Sequence, residues 1–149
     1  MGEEDYTFSS EDQVTRFITE FVAFLVQITD RMLYGHMSES DRQIFMNAVG
    51  SHLARVMDTS QMELRRRPGD YAAQFIEALN ARAAGYAEFE YTSTGPGYSF
   101  LRHLSERVAE IMTGADNKWV FEQVADIEAP AAIRAVQKLV MEVTGAKSK

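Results

Sequence analysis

Between Val14 and Leu33 the chain reads VTRFITEFVAFLVQITDRML. Wound as a helix at about 100° per residue, it gathers Val14, Phe17, Ile18, Phe21, Val22, Phe24, Leu25, Val26, Ile28, Met32 and Leu33 on an arc of about 200°, about twice the stripe of an ordinary surface helix. Arg16, Glu20, Gln27, Asp30 and Arg31 fill the remainder. A helix so nearly apolar all round must be covered from more than one side, by its own chain or by a second copy. Ser10–Gln13 has the form of a capping box, in which the hydroxyl accepts a backbone N–H and the Gln side chain reaches back. Gly35 supplies the left-handed position that closes a helix. The spacing predicts a helix over 11–34, the longest of the chain.

The same punctuation recurs downstream. Ser38 or Ser40 opens a second helix with Ile44, Phe45, Ala48, Val49, Leu53, Val56 and Met57 on one face, running to Met57 or on through Leu64 until Arg65-Arg-Arg-Pro-Gly stops it. Asp70 caps a third, with Tyr71, Phe75, Ile76, Leu79, Ala83 and Tyr86 apolar. Residues 86–92 alternate in a way that also suits a strand, but no second clear strand exists to pair with them, so they read as the end of that helix. The loop Thr92–Gly97 follows, with Tyr86, Phe89, Tyr91 and Tyr98 placed to pin it. A fourth helix from Tyr98 carries Leu101, Leu104, Val108, Ile111 and Met112 and ends at Gly114. A short helix with Trp119, Val120, Phe121, Val124 and Ile127 precedes a last one opened by Pro130, with Ile133, Val136, Leu139, Val140 and Val143 apolar.

Five separate cap-plus-periodicity matches against one ambiguous strand signal give an all-α fold of five or six helices. It is a single-domain helical bundle over residues 1–149, with an acidic, flexible arm at 1–9 and a polar tail at 146–149. Phe21, Leu25 and Ile28 are expected to be almost fully buried, and Trp119 to be largely buried in the hinge before the last helix.

Composition narrows the function classes. A chain of 149 residues with 46% apolar residues buries a real core. With no cysteine, a disulfide framework, Cys-ligated zinc, iron–sulfur ligation and a thiol nucleophile are excluded together. The acidic start MGEEDYTFSSED lacks the basic and apolar regions of a secretory signal, and the longest apolar run, Phe21–Val26, is far short of a membrane span. Cytoplasmic residence is expected. A net charge of −7 disfavours nucleic acid.

Candidate chemistry is sparse. His52 falls near the centre of the second helix's apolar arc, where it is either a paired core imidazole or a contact to a ligand or cofactor. His103 reads as lying on a solvated face beside Glu106, Arg107 and Glu110, and His36 as local structure after Gly35. No paired Glu-x-x-His, His-x-x-x-His or EF-hand loop is present, so no metal or cofactor is expected. Glu88/Glu90 and Asp126/Glu128 are spaced to point apart on a helix. No Gly-x-Ser-x-Gly occurs, and Gly95-Pro96-Gly97 is a weak match to an anion loop.

Two classes of function follow. The first is a non-enzymatic interaction module, an adaptor, chaperone or regulatory subunit, expected to be a homodimer. Its partner-binding candidates are Val22, Phe24, Val26 and Leu33 on the second apolar side of helix one, and the basic run Arg65, Arg66 and Arg67. That run suits an acidic partner or the chain's own acidic arm. The second class is a small-molecule sensor or carrier with an apolar inter-helix pocket near His52.

Overall fold

The structure, a computed structural model, describes residues 10–89, 91–92, 95–112 and 117–144. The acidic arm at 1–9, Gly114 and the polar tail fall outside them. The protein is an all-α bundle. Its elements are α1 (Glu11–Leu33), α2 (Glu39–Arg65), α3 (Tyr71–Tyr86), β1 (Tyr91–Thr92), β2 (Gly95–Pro96), α4 (Tyr98–Ile111), α5 (Asn117–Gln123), a π turn (Val124–Glu128) and α6 (Ala129–Thr144).

Two of the capping signals act where the spacing placed them, while Asp70 stands at the N-cap of α3 without a side-chain cap hydrogen bond. Ser10 accepts the Gln13 N–H at 3.1 Å and Ser38 accepts the Asp41 N–H at 3.0 Å. The Gln13 side chain, however, donates to the Ile111 carbonyl at 2.8 Å, tying the start of α1 to the end of α4. Gly35 takes φ +85° between α1 and α2. α2 ends with Arg66 itself in the left-handed region, φ 56°.

Helix α1 is the centre of the bundle, packed on α2, α3, α4 and α6. It is not the longest helix; α2 has 27 residues against its 23. Nor does it pack as an all-round apolar rod. Glu20 and Gln13 are among its buried residues, while Ile18 is exposed. One side, through Phe24 and Ile28, meets Tyr86, Phe100, Leu104, Val108, Val120, Val124 and Ile133. The other, through Ala23, meets Ala54, Met57, Phe75 and Leu79, with Val22 and Val26 packed against that group.

Burial therefore departs from expectation at several positions. Ile28 is fully buried, but Phe21 and Leu25 are only partly so, and Phe24 takes the deepest place. Trp119 is half-buried against the core rather than enclosed. Ile127 and Leu139 stand exposed.

Between α3 and α4 the chain leaves the helix at Tyr86, and Tyr91–Thr92 pairs antiparallel with Gly95–Pro96. This corrects the expectation that the helix continues. The partner strand is two residues of the Gly-Pro loop itself, too short to show as a periodic signal. Arg31 settles the end of α3. Its guanidinium donates to the carbonyls of Tyr86, Ala87 and Phe89 at 3.0, 3.1 and 3.1 Å, so a cation from α1 gathers the carbonyls at the terminus of α3, that of Tyr86 also accepting the Phe89 N–H at 3.1 Å.

α5 and α6 are joined without a loop. Proline lacks an N–H and its ring collides with the carbonyl four residues back. The widened turn Val124–Glu128 lies directly before Pro130 and absorbs that conflict, with the Ala129 N–H bonding the Val124 carbonyl.

Candidate functional site

Against α4, the helix α5 and the π turn form the wall of an open groove of about 830 Å³. Its floor is apolar, made by Ala109, Phe121 and Ala125 with Tyr98 at one end. Its rim is acidic: Glu106 and Glu110 come from α4, Glu122 from α5 and Asp126 from the π turn, against a single Lys118. Glu106 is bridged to Arg102 at 3.2 Å and Glu110 to Arg107 at 3.3 Å, both on the helix surface. Glu122 and Asp126 are exposed and form no ion pair among the described residues. π turns recur at functional sites because they rotate the side chains that follow. Here the turn contributes Ala125 and Asp126 to the groove.

A second polar cluster lies inside the bundle. Glu20 is buried on α1 and accepts the Arg82 Nε–H at 2.8 and 2.9 Å; Arg107 of α4 approaches it at 3.5 Å. Tyr86 is stacked on Phe100 with ring centroids 4.8 Å apart, and its hydroxyl has no hydrogen-bond partner among the described residues. Burial, reinforced by the Glu20 charge, pushes the Tyr86 phenol well above its ordinary value, with Arg82 and Arg107 opposing. His103 sits edge-on to Tyr86 at 4.9 Å and against Phe89 at 5.2 Å. Burial first, then Arg107 and Arg82, lower its pKa against the opposing pull of Glu20 and Glu106.

Among the described residues no group of three or more His, Asp or Glu is placed to hold a metal ion, and no helix is long and apolar enough to cross a membrane. No family model, curated protein or solved structure matches the chain.

The sequence-selected residues are distributed differently from expectation. His52 is exposed, because α2 turns Ala54, Met57 and Gln61 inward and the arc through Ile44, Ala48 and Val56 outward. The expectation of a core imidazole at His52 is thereby overturned. His103, expected in solvent, is half-buried among aromatic rings. Phe24 and Leu33 are buried within the chain, and Val22 and Val26 lie against the α2–α3 cluster, so the second side of α1 is covered internally rather than by a partner.

The basic run divides. Arg65 is paired with Asp12 at 2.6 Å, donates to Gln61 and Thr15, and lies over the Tyr71 ring. Arg66 and Arg67 are exposed. The acid that meets Arg65 is Asp12 in the first turn of α1, not the arm at 1–9, which lies outside the described residues.

Sequence reasoning missed both the groove and the Glu20 cluster. Glu20 carried one usable signal, a lone carboxylate between Phe17, Phe21 and Phe24. The groove carried none, since its four acids come from three separate elements.

Proposed function

We propose that this protein is a non-enzymatic helical interaction module of the cytoplasm. In this reading the α4–α5 groove takes a basic, amphipathic segment of a protein partner. The observation that carries the reading is the composition of the groove: four carboxylates and one lysine around an apolar floor of Phe121, Ala109 and Ala125. Such a trough buries the apolar face of a bound helix while the rim attracts its lysines and arginines. The formal charge of −7 adds long-range attraction for the same class of partner. Self-association into a homodimer belongs to the same reading. The carrier alternative draws less support from His52, which is exposed.

The test is fluorescence anisotropy with a labelled amphipathic peptide of Leu and Lys on one frame, and a matched peptide with Glu in place of Lys. The basic peptide is expected to bind, more weakly as salt rises. Replacing Glu122 and Asp126 together by Lys should weaken binding by about tenfold or more. No binding, or binding indifferent to that double substitution, overturns the groove as the docking site.

A further inference from the structure

Helix α2 is longer than either element that packs on it. Its 27 residues span about 40 Å, whereas α3, returning along it after the turn at 66–70, spans about 24 Å and α1 about 35 Å. Its buried residues, Ala54, Met57 and Gln61, all lie in the second half. A stripe turned away from them is exposed along its length and repeats at the spacing of a helix–helix seam: Asp41, Ile44, Ala48, Ser51 and Arg55. Ile44 is 66% exposed on this face.

The stripe is complementary to itself. Asp41 and Arg55 stand seven residues on either side of Ala48, both exposed and neither in an ion pair among the described residues. Met62, fourteen residues beyond Ala48, extends the stripe with an exposed apolar side chain. The centre itself is small, with Ala48 and Ser51 offering close approach of two backbones.

We infer that a second copy of this chain docks antiparallel on the outward face of α2, about a two-fold axis at Ala48. The two-fold relation sets Asp41 of each copy against Arg55 of the other, twice over, and packs Ile44 against the His52–Ser51 segment of the other copy. One patch serves both subunits, as a closed two-fold dimer requires. Charge decides the register: an antiparallel pairing centred elsewhere along α2 separates Asp41 from Arg55. The contact is a single helix face, smaller than a standard interface, so the dimer is weak and concentration-dependent. This inference rests on the reading of the protein as a self-associating module and names the surface.

The experiment is sedimentation velocity on the full chain over a range of concentrations, with three exposed variants. Asp41→Arg or Arg55→Asp alone places like charges together and should weaken the dimer by about tenfold or more, and the double exchange Asp41→Arg/Arg55→Asp should restore it. Because the chain has no cysteine, Ala48→Cys is a clean probe of the axis. Under mild oxidation it should give a covalent dimer, while Glu77→Cys on the exposed side of α3 should not. A monomer at every concentration overturns this surface and self-association together. A dimer indifferent to the charge reversals overturns this surface and leaves self-association standing.

Discussion

The Nε–H of Arg82 is shared between the two carboxylate oxygens of Glu20, at 2.9 and 2.8 Å, across 62 residues of chain. The pair joins α3 to α1, and Arg107 of α4 approaches the same carboxylate at 3.5 Å. Buried carboxylates are costly unless paired, and this one acid finds its partners on two other helices. Arg82→Ala leaves that acid with only the longer contact and should destabilise the protein by about 1–3 kcal/mol, read from urea denaturation. The double change Glu20→Leu/Arg82→Leu should cost less than the two single changes added together, since neither charge is then stranded.

Tyr86 buries a hydroxyl that bonds to nothing among the described residues. Tyr86→Phe keeps the stack on Phe100 and removes only that oxygen, so it should be neutral or stabilising at pH 7. The raised phenol pKa also sets an alkaline limit. The folded state keeps its proton above about pH 10, where the unfolded chain releases it. The contribution is therefore fully present below that pH and lost as pH rises toward the folded value. Thermal melts between pH 9 and 11 should show a shallower loss for Tyr86→Phe than for the wild type.

His103 acts in the opposite direction. Its folded pKa is lowered, so the unfolded chain takes up a proton near pH ~6.5 while the folded state resists. The stability it carries is fully present above that pH and is lost as pH falls through it toward the lowered folded value. His103→Gln should flatten the stability profile between about pH 7 and 5, and NMR titration of the imidazole should place its midpoint below the ordinary value.

Phe24 and Leu25 are neighbours with different fates. Phe24 is fully buried against Tyr86 and Phe100, and Phe24→Ala should cost about 3–5 kcal/mol. Leu25 is only partly buried, and Leu25→Ala should cost about 1–2 kcal/mol. Equal losses in chemical denaturation would contradict the orientation of α1.

The starts of α1 and α2 and the end of α1 were legible because they are local. Ser10, Ser38 and Gly35 act within one turn of where they stand, so their meaning does not depend on what packs against them. The all-α class followed from the number of such signals. Rotation about each helix axis was not legible. The apolar arc of α1 is so wide that Phe21, Phe24 and Leu25 compete for the core, and contact with Tyr86 and Phe100 selects Phe24. On α2 the apolar arc spreads on both sides, and packing of Ala54 and Met57 against Ala23, Phe75 and Leu79 turns His52 outward. Glu20 is buried because arginines from two other helices reach it, and neither is near it in sequence. The groove depends likewise on where α4 meets α5 and the π turn. Backbone caps are one-body preferences that a sequence states directly; which face a helix buries, and which charges it can bury, are settled by its neighbours.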